Sequence, residues 1–439
     1  MDKKLIAICV VLSAIALATI GPLWWDGATY IGMGKYLWSG GTSGLWEDSR
    51  PLVWPLLLGV IWKMGLPPVE SSQGLAFIFA LGCVVMTYLI GKKMRNERVG
   101  LIAALLVSFT PVFLRFSTRP LSEIPSTFFI LLSVYFVLKN KAGLAGLFAG
   151  LACMTRFLQL LPALILGIWI VFKRNPEQKK SNGSALKGVA SIKYSARFLV
   201  CFLLPVIPYL VFNLINYGNA LHPFLVQIEM TRLTGWPWHG PWWWYLKELP
   251  WENFLLLLSI PATWIAFKKK TDLRLLSVIG FVSLIVYSLI AQKEQRFLLV
   301  FLPFLALLAA SALPKNKLSH SLLIGAFLVQ SLIVFPLLSP GVAVPDFNLP
   351  SEGRVWVSSP LVVARVDNPA TPVYYSVFSV EKAWEISALN GAPLVISECD
   401  LLCRPGDSAC DIEKEKLFSA LAKKATVLEN GDCPYLIIS

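Results

Sequence analysis

A single carboxylate, Asp26, stands where the first hydrophobic segment of the chain ends. Residues 5–23 are nearly all apolar and follow two lysines, and about 20 such residues cross the hydrocarbon of a bilayer. Because lysines stay on the cytoplasmic side of a span, Asp26 is expected on the outer face, beneath Trp24 and Trp25. A partly desolvated carboxylate there can act as a base or orient a substrate hydroxyl. An interfacial aspartate that caps a helix is the alternative.

The composition is that of a polytopic membrane protein. The chain has 439 residues, 56% of them hydrophobic, and its mean hydropathy of +0.64 is too high for an ordinary soluble domain. The first span lacks a small-residue cleavage site, which favours a retained anchor with a cytoplasmic N-terminus. The net charge of +13 resides in short basic clusters between apolar segments, a pattern typical of topological signals and not of nucleic-acid binding.

Charge pattern and segment length together predict eleven transmembrane spans. They are residues 5–23, 74–90, 99–113, 121–138, 142–155, 157–172, 198–215, 251–267, 273–291, 297–313 and 319–338. The basic clusters between them then all face the cytoplasm. A further apolar segment, residues 51–65, would reverse that pattern if it crossed, so we expect it to lie on the outer surface as an interfacial helix.

Arg156 divides what would otherwise be one long span. Arg156 is the only charged residue in the segment 142–172 and stands near its middle, where a charge costs about 3 kcal/mol or more. Two short helices joined by an outer turn at Arg156 avoid that cost. They also leave a recess that can admit a lipid headgroup.

Residues 340–439 are predicted to form a separate extracytoplasmic domain, which leaves residues 1–339 as the membrane domain. An odd number of spans places this tail outside, and half of the chain's 26 acidic residues fall in it. Its short apolar runs predict a small α/β domain, with strands at 355–357, 372–378, 394–396 and 436–438 and helices at 380–389 and 411–422. Four cysteines there favour disulfides over a zinc site, with the pairing left open among Cys399, Cys403, Cys410 and Cys433.

The remaining basic residues map to the outer side, where topology does not require them. Several lie against the ends of spans, among them Arg119, Arg156 and Arg296. Cations at a membrane boundary can bind a lipid phosphate through charge-assisted hydrogen bonds, although snorkelling of basic side chains accounts for some of these positions. Residues 217–250 are rich in tryptophan, which indicates an interfacial anchor or a platform for a sugar. No metal-ligand cluster is evident, so we expect no metal site.

The order of these motifs resembles that of the membrane glycosyltransferases of the C-type fold (GT-C), which use polyprenyl-phosphate-linked sugars. The resemblance spans residues 5–338 and begins with Asp26 and the aromatic Tyr30. The segment Asp48-Ser49-Arg50-Pro51-Leu52 resembles the basic-Pro-Pro-Leu element of protein mannosyltransferases and lipid A aminoarabinose transferases. The segment Lys293-Glu294-Gln295-Arg296-Phe297 resembles the His-Lys-Glu-x-Arg-Phe element of dolichyl-phosphate-mannose-dependent mannosyltransferases. The chain departs from relatives at Gly27, where many have glutamate, and at Gln292, where histidine is common.

The resemblance implies two surface helices in the first outer loop, residues 27–38 and 51–65, and an inverting transfer with Asp26 as the catalytic base. It implies that cations bind the donor phosphate, for which the candidates are Arg50, Arg119, Arg156, Lys293 and Arg296. Candidate contacts to the acceptor or the sugar are Tyr30, Asp48, Glu123, Glu294, Trp238 and His239.

We therefore expect an all-α polytopic membrane protein of about eleven transmembrane helices and two interfacial helices, with a small C-terminal α/β domain. It would transfer a hexose such as mannose from a polyprenyl- or dolichyl-phosphate donor to a glycan, lipid or protein acceptor on the extracytoplasmic face, with no other cofactor. A transporter or lipid flippase is the alternative, but it predicts internal repeats and midplane charges, and neither is evident. An inactive scaffold whose exported domain binds a partner is a third.

Overall fold

The computed structural model describes residues 3–172, 184–233, 239–314, 316–335, 353–372, 393–400, 408–423, 425–428 and 434–438. The first half of the chain contains α1 (Lys3–Ala18), α2 (Trp25–Ser39), α3 (Val53–Lys63), α4 (Pro68–Met94), α5 (Glu97–Phe109), α6 (Pro111–Phe116), α7 (Glu123–Leu138), α8 (Ala142–Thr155) and α9 (Leu160–Phe172). The second half of the membrane region contains α10 (Ser184–Tyr217), α11 (His222–Leu233), α12 (Trp244–Glu252), α13 (Ser259–Lys268), α14 (Leu273–Leu289), α15 (Leu298–Ala312) and α16 (Lys317–Val334).

Three of the described helical segments are long and apolar enough to cross a membrane. They are Pro68–Met94, Ile192–Tyr217 and Gln295–Ala312, and the other apolar helices have 10–17 residues. Each predicted span coincides with at least one helix. The predicted count of eleven crossings stays a prediction.

Proline residues account for the helix ends that differ from the predicted spans, and a charged residue accounts for the break that was predicted. The predicted span 99–113 is interrupted after Phe109, because Pro111 starts the separate helix α6 and disfavours a helical conformation at Thr110. Similarly, α1 ends at Ala18, ahead of Pro22. At Arg156 the break is as predicted: α8 ends at Thr155, Arg156 adopts an extended conformation, and a short 3-10 turn leads into α9.

Helix α15 is the centre of the helical bundle. Its side chains from Leu298 to Ala310 are all buried, and α5, α7, α13 and α14 pack around it. A helix that is apolar on every face is either covered by neighbouring helices or exposed to lipid, and the burial of these side chains shows that neighbours cover α15. The 3-10 turn Gln295–Phe297, which contains Arg296, opens this central helix.

The loop predicted to be the first outer loop contains the two expected helices, α2 and α3, which cross at two glycines. A Cβ atom on Gly34 would lie 2.6 Å from the backbone nitrogen of Gly59 and 2.6 Å from the carbonyl oxygen of Pro55. Only hydrogen fits at that distance. The crossing fixes the angle between α2, which carries Asp26, and the segment before α3, which carries Arg50.

The tail forms a mixed five-stranded sheet with the strand order β2-β1-β3-β5-β4. Its elements are β1 (Val355–Val357), α17 (Pro360–Arg365), β2 (Ala370–Pro372), β3 (Leu394–Ser397), α18 (Ser408–Ala422), β4 (Thr426–Leu428) and β5 (Tyr435–Ile438). Strand β1 is parallel to β2 and β3, and β5 is antiparallel to β3 and β4. Apolar side chains of α18, including Leu417 and Leu421, cover one face of β3 and β5.

Most of the predicted tail elements that fall on described residues are confirmed. Strands at 355–357, 394–396 and 436–438 and the helix at 411–422 are present. The predicted helix 380–389, all but the first residue of the strand 372–378 and the domain boundary at 339–340 lie outside the described residues. Cys399 and Cys410 are disulfide-bonded, while Cys403 and Cys433 lie outside the described residues, so the pairing stays a prediction.

The tail packs directly on the first outer loop. The buried Lys35 of α2 donates from Nζ to the carbonyl oxygens of Val363, Ala364 and Val366 at 3.0–3.2 Å, where α17 ends and its carbonyls lack intrahelical partners. Lys35 also pairs with Asp367 at 3.0 Å. In addition, Gly44 forms a backbone bridge to the segment before β2. The helix that carries Asp26 is thus attached to the tail.

Replacing Gly34 with alanine should destabilise the protein by about 1–3 kcal/mol or more, because the new methyl group overlaps backbone atoms of α3. Gly74→Ala is the matched control, since a Cβ on that helical glycine meets no atom within 4 Å. The control should be neutral or stabilise by up to about 1 kcal/mol. Thermal unfolding of the detergent-purified variants measures both changes, and equal effects would contradict the proposed crossing.

Replacing Lys35 with methionine should loosen the tail, because each carbonyl left without a donor costs about 1–3 kcal/mol. The measurement is the rate of proteolysis within the tail of the full-length protein as temperature rises. Lys63→Met, at the exposed end of α3, is the control. If the tail of the Lys35→Met variant were as resistant as that of the wild type, the lysine would not hold α17 in place.

Candidate active site

Asp26 lies in the first turn of α2 and is bound by two arginines. One carboxylate oxygen accepts from Nη2 of Arg50 at 2.6 Å, and the other pairs with Nη1 of Arg296. The N-cap residue of α2 is Trp24, which provides no side-chain cap. The alternative that Asp26 merely caps its helix is therefore wrong, because both of its oxygens face guanidinium groups.

Arg50 is fixed from three directions in the loop before α3. Its Nε donates to Glu47 at 2.6 Å, its guanidinium lies 5.0 Å above the ring of Tyr30, and its carbonyl oxygen accepts from the hydroxyl of Tyr209 at 3.1 Å. Sequence analysis missed Glu47 and Tyr209. The spacing of three residues between Glu47 and Arg50 was a usable signal for one of them, whereas Tyr209 is too distant in sequence to leave any.

Arg296 links Asp26 to two further carboxylates. It stands in the 3-10 turn that opens α15, and its Nε lies 2.6 Å from Glu294 and 3.4 Å from Glu123. Glu294 also accepts from Gln292 at 2.5 Å, so the glutamine that stands where histidine is common contributes to the site. The Lys293 to Phe297 motif thus supplies one cation and one anion to the network.

Glu123 and Arg156 complete the network from the opposite side. Glu123 opens α7 and is only 1% exposed, and it pairs with Nη1 of Arg156 at 3.0 Å. Arg156, at the break between α8 and α9, also donates to the hydroxyls of Ser122 and Tyr287 at 3.2 and 3.3 Å. The hydroxyl of Tyr30 donates to Ser122 at 3.0 Å, which connects α2 to the same group.

The described network contains one more carboxylate than guanidinium. Its members are Asp26, Glu47, Glu123 and Glu294 on the acidic side and Arg50, Arg156 and Arg296 on the basic side. Burial on its own raises the pKa of Asp26, but the charges of Arg296 and Arg50 outweigh burial and hold that pKa well below its ordinary value. Asp26 is therefore ionised and hydrogen-bonded at neutral pH.

Two of the predicted phosphate-binding cations lie apart from this network. Nζ of Lys293 donates to the carbonyl oxygens of Tyr287, Ser288 and Ile290, so the lysine caps the end of α14. Arg119, between α6 and α7, is buried and stacks on the indole of Trp24, with Cζ 4.6 Å from the ring centroid.

Asp48 binds a histidine that the sequence did not connect with it. One of its oxygens lies 2.7 Å from Nε2 of His222, whose ring stacks on Tyr217 at 4.2 Å. The two partners are 174 residues apart, too far for a sequence pattern to reveal. His239 is exposed and pairs through its backbone with Gln292, and Trp238 lies outside the described residues. Among the described residues, no group of three or more His, Cys, Asp or Glu side chains is arranged to hold a metal ion.

An aromatic cavity opens between the first outer loop and the tail. Its volume is about 230 Å³, and its lining includes Tyr36 and Trp46 from the loop and Arg354 and Thr371 from the tail. The side chain of Trp46 donates to the hydroxyl of Tyr217 at 2.6 Å. Tyr36 and Trp46 of this loop therefore add aromatic surface near the Asp48 pair, next to Tyr217 of the tryptophan-rich segment 217–250.

The sequence matches one protein family over most of its helical bundle. Residues 73–342 match the Alg9-like mannosyltransferase family, a range that includes Glu123, Arg156 and Arg296. Asp26 and Arg50 precede it. Among curated proteins, none matches the sequence.

The fold is similar to that of two solved membrane enzymes. One is ArnT from Cupriavidus metallidurans bound to undecaprenyl phosphate, with a TM-score of 0.65 and 11% identity over 99% of this chain and 97% of that chain. The other is the oligosaccharyltransferase AglB from Archaeoglobus fulgidus in complex with an inhibitory peptide and a dolichol-phosphate, with a TM-score of 0.60 and 12% identity over 99% and 74% of the two chains. At these identities the similarity establishes the fold. Because the family match covers more than half of the sequence, the chain belongs to the Alg9-like mannosyltransferase family and is a membrane glycosyltransferase of the GT-C fold.

Proposed function

We propose that this glycosyltransferase moves a hexose such as mannose from a polyprenyl- or dolichyl-phosphate donor to an acceptor on the extracytoplasmic face of the membrane. The observation that carries the proposal is the position of Asp26, an ionised carboxylate held between Arg50 and Arg296 at the ends of several helices. The ArnT structure contains undecaprenyl phosphate and the AglB structure a dolichol-phosphate, which supports a donor of that class. The break at Arg156 supports the predicted recess for a lipid headgroup.

The proposed reaction is a single displacement with inversion. The acceptor oxygen forms a bond to the anomeric carbon while the bond from that carbon to the phosphate oxygen breaks, and its electron pair leaves on the lipid phosphate. The acceptor's hydroxyl proton goes to Asp26. Guanidinium groups stabilise the negative charge that develops on the leaving oxygen.

The depressed pKa of Asp26 limits its strength as a base in the resting enzyme. A carboxylate bound by two guanidiniums accepts a proton poorly. If the donor phosphate takes over one of those guanidiniums, the pKa of Asp26 rises, and the base gains strength only when the donor is present. One arginine would thus bind the carboxylate in the resting enzyme and the phosphate in the donor complex.

A transporter is disfavoured by the family match, because residues 73–342 match a family of mannosyltransferases. Release of lipid phosphate from a radiolabelled polyprenyl-phosphate sugar separates the candidates, because only a transferase forms that product.

Replacing Asp26 with asparagine should lower kcat by about 100-fold or more, since a positioned general base contributes that much. The variant should still fold, because the network then contains three carboxylates and three guanidiniums. Asp272→Asn, at an exposed position before α14, is the control. Transfer is measured as release of labelled lipid phosphate and folding as thermal unfolding. Full activity in the Asp26 variant would rule out the proposed base.

The pH profile should show that the free enzyme holds Asp26 ionised. Because the pKa is lowered, the carboxylate stays charged as pH falls, and kcat/KM for the donor should be flat between about pH 5 and 7. In kcat, which reports the substrate complex, an acid limb should appear at a higher pH than in kcat/KM. An acid limb in kcat/KM centred above about pH 5 that disappears in the asparagine variant would contradict this arrangement.

A further inference from the structure

Trp24 lies between the Asp26 network and a second group of cations. Arg119 and Arg115, from the segment between α5 and α7, lie over its ring with Cζ at 4.6 and 5.6 Å from the centroid. Arg296 also lies near the same ring, at 6.0 Å. The indole of Trp24 is therefore shared by Arg296, which binds Asp26, and by the pair formed by Arg115 and Arg119.

Arg119 has buried donors without partners. It is only 3% exposed, and its Nε and Nη1 atoms are buried with no hydrogen-bond partner, as is Nε1 of Trp24. Each unsatisfied buried donor costs about 1–3 kcal/mol, and more when it is charged. Burial, and then the charge of Arg115, lowers the pKa of Arg119 to about 9. An anion with several acceptor oxygens can accept hydrogen bonds from all of these donors.

The arginines beside Asp26 differ from Arg119 because they have carboxylate partners, although Nε of Arg296 also lacks a well-aligned hydrogen bond. Arg50, Arg156 and Arg296 each pair with at least one carboxylate, and the network that they belong to has an excess of one carboxylate. An incoming phosphate is repelled by that excess unless it displaces a carboxylate. In contrast, no carboxylate lies within ion-pair distance of Arg119 in the part of the chain that the structure describes.

We infer that Arg119 and Trp24 form the docking site for the phosphate group of the lipid donor, separate from the arginines that hold Asp26. This inference rests on the proposed function. The guanidinium edge and the indole N–H would donate to the non-bridging oxygens of a phosphodiester. Gly21 leaves room at the other edge, since a Cβ there would lie 3.1 Å from Nη2 of Arg119.

The surroundings of the site favour a lipid-borne phosphate over a free one. The end of α1 and the segment after it lead directly to Gly21, and their apolar residues Leu17 and Ile20 are exposed. In a membrane protein such side chains face the hydrocarbon of the bilayer. An isoprenoid chain can lie along this surface while its phosphate reaches Arg119, within one indole of the base.

Binding to the full-length, detergent-purified protein tests the inference, with undecaprenyl phosphate, undecaprenol and inorganic phosphate as probes. Arg119→Gln should weaken binding of undecaprenyl phosphate by at least about tenfold, because a charge-assisted contact is lost. Trp24→Phe, which keeps a ring over the guanidinium and removes the N–H, should weaken it by about threefold or more. Binding of undecaprenol should not change in either variant. Arg98→Gln, an exposed arginine at the opposite end of α5, is the matched control and should bind as the wild type does.

Unchanged affinity for undecaprenyl phosphate in both Arg119→Gln and Trp24→Phe would overturn the inference. If the wild type bound inorganic phosphate and undecaprenyl phosphate equally well, and Arg119→Gln weakened both, the inference that the phosphate belongs to a lipid would be overturned. If Arg119→Gln does not fold, the phenylalanine variant alone decides. Asp26→Asn separates this test from the test of the base. That variant should lose about 100-fold or more in kcat and still bind the donor, whereas Arg119→Gln should lose donor binding while Asp26 is intact.

Discussion

The contact between Asp26 and Arg296 joins the first turn of α2 to the turn that opens α15, two parts of the chain that are far apart in sequence. Each group is largely buried, and a buried charge without its partner costs several kcal/mol. Formation of the pair therefore requires α2, the opening turn of α15 and, through Glu123, the start of α7 to meet at one point. The helical bundle satisfies this requirement by enclosing α15 among α5, α7, α13 and α14.

The tail constrains the same helix from the other end. Lys35 lies nine residues after Asp26 in α2, and its ammonium holds the last carbonyls of α17. Lys35 therefore couples the position of α2 to that of the tail. The tail thus supports the geometry of the ion network, a role that does not require it to touch a substrate.

The sequence predicted those parts of the structure that depend on the free-energy cost of placing one residue type in one position. The break at Arg156 follows from the cost of a charge within a span, and the two helices of the first outer loop follow from charge pattern and from the resemblance. Ion pairs between residues far apart in the chain could not be predicted in this way. The sequence identified Asp26, Arg50 and Arg296 as separate candidates, but it contained no signal that one carboxylate would bind both arginines. Lys293 was expected at the phosphate because a lysine at a span end looks the same whether it faces a ligand or caps a helix.

An excess of carboxylates around the base makes sense if the site is at rest without its donor. A phosphate that entered a site with free guanidiniums would bind tightly. The same site would then bind the product lipid phosphate equally tightly. Carboxylates that already occupy those guanidiniums weaken this binding, because the phosphate gains only the difference between two charge-assisted interactions. In the donor complex, a guanidinium that has turned from Asp26 to the phosphate stabilises the negative charge that develops on the leaving oxygen. A docking point outside the network, such as Arg119, lets the donor bind before that exchange takes place.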